Sequence, residues 1–229
     1  MKKIMISILA VFFVSTLFSG FAAADYSGFL EDYSNLAPDK DRKGALIFHK
    51  PGVDLKSYTK VVIDPVEVWI APDSKYKGIK PDEVKALADT FRLALVDALE
   101  PDYPVVSKPG PGVLGIRLAI TNVQMTKKKR GLLGYTPVGL VVAAGVKNIG
   151  KNMSLQDATI EAELLDSQTN ERLGALIDQQ SETAEKKKAG GWSKLGAVQK
   201  GDTSWEEIVS TLKFYAERFR GRLDAERGR

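Results

Sequence analysis

The chain has 229 residues, 44% of them hydrophobic and 27% charged, with a formal net charge of +4. That balance excludes wholesale disorder and allows one domain with a substantial core. With no Cys and one His, disulfides, thiolate metal sites, Cys nucleophiles and multi-His metal clusters are excluded as well.

The first 24 residues read as a secretory signal peptide. Met1-Lys2-Lys3 is a basic start, and Ile4 to Phe18 is an apolar run shorter than the roughly 20 residues that span a bilayer. Ala22-Ala23-Ala24 supplies the A-x-A cleavage site, so cleavage is expected before Asp25. A retained N-terminal anchor is the alternative. Leu17-Phe18-Ser19-Gly20 looks like the approach to a lipoprotein cleavage site. Phe21 stands where the lipid-bearing Cys belongs, so no lipid anchor is expected by that route. Loss of Lys2 and Lys3 lowers the formal charge to +2, which gives no global reason to bind nucleic acid.

Residues 25–229 are expected to form a single α+β domain. Residues 25–53 lack periodicity and carry scattered aromatics, which predicts an arm packed across the domain surface. Tyr58 to Ile70 reads as a strand, with Val66, Val68 and Ile70 alternating against Glu67 and Trp69. Pro65 has no N–H to donate, so it marks an edge or a bulge. Lys80 to Leu99 reads as a helix, with Pro81 at its start, Asp82 and Glu83 in its first turn and one apolar stripe.

Val113 to Met125 reads as a second strand, and a shift of parity at Asn122 predicts a bulge. Leu155 to Leu165 and Glu171 to Gln179 read as a hairpin closed by Asp166-Ser167-Gln168-Thr169-Asn170. Here Ala158, Ile160, Ala162 and Leu164 alternate with Thr159, Glu161 and Glu163. Residues 181–201 are a basic, glycine-rich loop. Thr203 to Leu223 reads as the closing helix, and the Arg-rich last residues of the chain are expected to fray. The expected fold is a four-stranded mixed or antiparallel sheet with two amphipathic helices on one face.

Templates for chemistry fail one after another. Gly145 to Asn152 has P-loop spacing, but Asn152 replaces the Ser or Thr that holds magnesium, and an alternating strand follows where a helix is needed. His49 would have to serve any Ser–His–Asp triad, yet no G-x-S-x-G elbow exists to present the serine. Asp64 and Glu67 point to opposite faces of a regular strand, and only a bulge at Pro65 would bring them together. The expectation is a non-enzyme with no cofactor, no metal, no nucleotide and no nucleic acid; an exported hydrolase using Asp64, Glu67 or His49 is the alternative.

Contact surfaces are easier to find. Lys127, Lys128, Lys129 and Arg130 precede an uncharged run from Leu132 to Val146 that includes Leu140, Val141 and Val142. That run suits either packing on the sheet edge or a peripheral membrane contact, with the lysines facing anionic headgroups. Trp192 follows Lys186-Lys187-Lys188 in the glycine-rich loop and suits a partner contact or a fold-back.

Several of these residues carry a resemblance. Ser27-Gly28-Phe29-Leu30, Asp32-Tyr33-Ser34 and Leu36, followed by Tyr58, Val61, Asp64-Pro65-Val66-Glu67 and Trp69, resemble the opening of the bacterial lipoprotein family known as domain-of-unknown-function family 3313. The hairpin and the Trp205 helix continue the likeness. The resemblance implies a Gram-negative envelope protein, with the periplasm as the expected destination, and no activity carries over. It favours a non-catalytic binding or assembly module with an unidentified envelope partner, docking through the sheet edge, the arm near Tyr33 and the Trp192 loop. A membrane-associating, oligomeric protein using residues 132–146 is the alternative.

Overall fold

The longest alternating segments build the centre of the sheet. The computed structural model describes residues 26–42, 44–74, 80–127, 153–179 and 205–228. In chain order the elements are β1 (Ala37–Pro38), β2 (Ala45–His49), β3 (Lys60–Ile63), β4 (Glu67–Ile70), α1 (Pro81–Leu99), β5 (Val113–Lys127), β6 (Met153–Asp166), β7 (Arg172–Gln179) and α2 (Trp205–Glu226). Among the described residues the sheet has seven strands in the order β1-β2-β7-β6-β5-β3, with β4 also on β5. β3 and β4 run parallel to β5, and the other pairings are antiparallel.

The α+β class and the two helices match expectation, but four strands is a correction to seven. Two physical reasons account for it. Tyr58 to Ile70 is not one strand, because the chain breaks around Pro65. β3 pairs with Val113 to Ile116, and β4 resumes further along the same neighbour, from Ala119. The predicted arm also contains β1 and β2. Ala45-Leu46-Ile47-Phe48-His49 shows no alternation because both of its faces meet apolar neighbours. Leu46 and Phe48 pack with the arm, while Ile47 lines the opposite, helix-side surface. β2 pairs along β7 and covers an edge that would otherwise be open.

The predicted bulge and turn are both present. Thr121 pairs with Thr159 and Gln124 with Asp157, so Asn122 and Val123 face the single residue Ala158. Asn122 has φ 51°, a left-handed conformation that Asn tolerates better than most residues. In the β6–β7 turn, Asp166 Oδ1 accepts from the N–H groups of Gln168 and Thr169, each at 2.9 Å.

Both helices pack on one face of the sheet. α1 starts at Pro81, and the Glu83 carboxylate accepts from the Lys80 N–H at 3.3 Å. Its buried stripe of Leu87, Phe91, Leu95 and Leu99 meets Ile208, Leu212 and Leu223 of α2 and the sheet residues Ile116, Leu118, Ile120 and Ile160 in one core. α2 does not fray after Leu223 but runs to Glu226. Arg220 reaches the Ala98 carbonyl at 2.9 Å, Asp224 at 2.8 Å and Asp102 at 2.5 Å, while Arg222 pairs with Asp39.

The opposite face is not left to water. Residues 26–36 lie across it, and Phe29 and Leu30 form a second core with Ala119, Ala175 and Ile177. Glu161 and Glu163, on the polar side of the β6 alternation, are therefore buried at 1% and 2% exposure. The result is three layers: helices, sheet and arm.

Candidate binding groove

Several of the residues that carry the resemblance hold the arm in place. Gly28 has φ +88°, which L side chains rarely adopt, and this bend brings its N–H to within 3.0 Å of the Tyr33 hydroxyl. Leu30 N–H donates to the same oxygen at 3.1 Å, and the hydroxyl in turn donates to Glu161 Oε2 at 2.9 Å. Thr121 donates to the other Glu161 oxygen at 2.6 Å. Glu163 takes Arg117 at 2.5 Å and also pairs with Arg172. Arg117 lies over the Phe29 ring, 4.9 Å from its centroid. Phe29 meets Trp69 edge-on, and Trp69 donates to Glu67 at 2.8 Å. Tyr58 donates to Asp166 at 2.8 Å, tying the segment before β3 to the hairpin turn.

The acid–base candidates are not assembled into a site. Asp64 and Pro65 are exposed in the break between β3 and β4, and the Glu67 carboxylate is occupied by Trp69. His49 ends β2 instead of lying in a loop, and its Nδ1 is 3.7 Å from Glu226 Oε1, with both side chains about half exposed. Among the described residues there is no group of three His, Cys, Asp or Glu that could hold a metal ion. No described helix is long and apolar enough to cross a membrane. Lys127 is the last residue of β5. Lys128, Lys129, Arg130, Leu140, Val141, Val142, the P-loop-like Gly145 to Asn152 and Trp192 lie outside the described residues.

What the fold does assemble is a groove on the helix side of the sheet. It runs between α2 and the strands β2, β7 and β6, with about 560 Å³ of space, part of it open to solvent. Ile47, Leu164 and Leu176 form its floor, and Phe219 and Leu223 form its wall. Gly174 also lines the groove, and a Cβ there would sit 3.3 Å from the Phe48 carbonyl oxygen and 3.6 Å from the Leu164 side chain. A narrower recess beneath α2 adjoins it, and Ala162, Leu176, Phe219 and Arg222 line both.

The two ends of this groove differ in charge. His49 and Glu226 stand at one end. The recess at the other is bordered by Asp178, Tyr215, Arg218 and Arg222. Asp178, 1% exposed, pairs with Arg42, which also donates to the Tyr215 hydroxyl at 3.2 Å. Burial pushes the Asp178 carboxyl above its ordinary range, although Arg42, Arg218 and Arg222 pull the other way. Burial acts upward on Asp39 too, but the Asp41 N–H and the Arg222 and Arg218 guanidinium groups outweigh it and hold that carboxyl below its ordinary range. Asp39 and Asp178 are thus taken by Arg222 and Arg42. Among the described residues no carboxylate comes within ion-pair distance of Arg218. Burial first, then repulsion from Arg222 and Arg42, lowers its affinity for the proton.

Sequence reading did not find this groove. Arg218 and Arg222 lay inside the predicted closing helix with no role assigned, and Arg42 and Asp39 among the charged residues of the predicted arm. The available signal was the spacing of Arg218 and Arg222, four apart and so on one face of a helix.

Residues 25–207 match the family described as protein of unknown function DUF3313, and the chain belongs to that family. The uncharacterized lipoprotein YdcL of Escherichia coli K12 is 29% identical over 158 residues, covering 67% of this chain and 70% of its own length. Among solved structures, a PelC dodecamer subunit from Paraburkholderia phytofirmans covers 76% of this chain and 93% of its own, at 10% identity and a TM-score of 0.34. A DUF4136 family protein from Bacteroides thetaiotaomicron covers 81% and 98%, at 9% identity and a TM-score of 0.35. Likenesses at that level carry nothing about what this chain does.

Proposed function

We propose that this member of the DUF3313 family is an exported cell-envelope protein that works as a non-catalytic binding module, with the groove beside α2 as its binding site. Export is supported by the signal-like first 24 residues and by a relative named as a lipoprotein. The single observation that carries the binding role is the groove itself. It combines an apolar floor with a charged end, the usual make-up of a ligand site. Asp64 and Glu67 are exposed, Glu161 and Glu163 hold the arm and its strands, and Asp39 and Asp178 are paired with Arg222 and Arg42.

Site-specific photocrosslinking in intact cells tests this. A photoreactive residue at Ile47, in the groove, is compared with one at Lys85 on the outer side of α1. The proposal expects discrete adducts from position 47 and none of the same mass from position 85. Absence of adducts from position 47, or identical adducts from both, would contradict it.

A further inference from the structure

The charge difference between the two ends of the groove narrows what it takes. Among the described residues, Arg42, Arg218 and Arg222 face Asp39 and Asp178, so three guanidinium groups meet two carboxylates and one positive charge is left over. Each carboxylate already has its own arginine, which leaves Arg218 as the surplus group. It is half-buried, and a cation in such a place costs stability unless an anion accompanies it. Apolar surface leads directly away from it along Phe219, Leu176 and Ala162. At the far end Glu226 repels an anion, so a ligand with one charged end has one favoured direction.

We infer that the groove binds a long-chain carboxylate, its head group on Arg218 beside Arg222 and its chain along Phe219 and Leu176. A planar guanidinium holds a carboxylate through two parallel hydrogen bonds, which fixes orientation as well as charge. One surplus charge matches a monoanion better than a phosphate carrying close to two charges. This assignment rests on the reading of the chain as a binding module and supplies the class of its ligand.

Binding of cis-parinaric acid, a fluorescent long-chain carboxylate, to the full exported chain tests it. The expected result is saturable binding of one probe per chain, displaced by hexadecanoate and not by the uncharged hexadecanol. Arg218→Gln is expected to weaken binding about tenfold or more, and Arg218→Lys to restore part of it. The urea midpoint of Arg218→Gln should equal or exceed the parent's, because the substitution removes a buried surplus charge; this also shows that the variant folds. No saturable binding by the folded parent overturns the inference. So does equal binding by Arg218→Gln, or equal displacement by hexadecanol. If the probe fails while position 47 crosslinks to a protein, the carboxylate assignment falls and the binding module stands. If both fail, both fall.

Discussion

Glu161 and Glu163 stand two residues apart on one side of β6, and neither is left to balance its own charge. Donors from three other elements converge on them: Tyr33 from the arm, Thr121 and Arg117 from β5, and Arg172 from β7. A buried carboxylate is tolerated when its oxygens are satisfied in this way, and removing one partner costs more than the pair contributes. The same logic gives Tyr58 a pH dependence. Its hydroxyl must keep its proton to donate to Asp166. Burial, then the hydrogen bond and charge of Asp166, push it up to about 12, against an ordinary value of about 10. The folded chain therefore holds a proton that the unfolded chain releases first. The stabilisation is full below about pH 10 and is lost as the pH rises toward 12. The excess of the parent's urea midpoint over that of Tyr58→Phe should shrink across that interval. A constant excess would show that this hydrogen bond is not what titrates.

At the scale of elements, the ends of the helices depend on each other. The last carbonyls of α1 have no partner within their own helix, and Arg220 of α2 reaches the Ala98 carbonyl at 2.9 Å while lying over the Tyr103 ring at 5.0 Å. A cation at a helix C-terminus is also favoured by the helix dipole. Arg220→Met keeps most of the apolar stem and removes the donors. It should cost about 1–2 kcal/mol by urea unfolding, and a cost below about 0.3 kcal/mol would show that water replaces the contact. Helices of this kind were legible in the sequence because a 3.6-residue stripe reports burial on one face. The hairpin and the bulge at Asn122 were legible for the parallel reason in strands. β2 was not, since a short strand covered on both faces has no alternation to read. The break at Pro65 was marked, but parity alone did not tell a bulge from two strands with separate registers on β5.

For the molecule as a whole, the third layer is what local pattern could not supply. A polar strand face reads as solvent-facing by default, and Glu161 meets Tyr33 across 128 residues of sequence. Of the residues in the opening motif, Gly28, Phe29, Leu30 and Tyr33 lay the arm over the sheet. With that face closed, the groove we propose as the binding site lies on the helix side. The groove was illegible because its floor comes from three strands, its wall from α2, and its charged end from residues 42, 178, 218 and 222 together. The most direct measurement is native mass spectrometry of the chain released from its own envelope without detergent. The account predicts a bound mass of a single long-chain carboxylate on the parent protein, and none on Arg218→Gln. A parent protein without any adduct, or one whose adduct persists in Arg218→Gln, would contradict it.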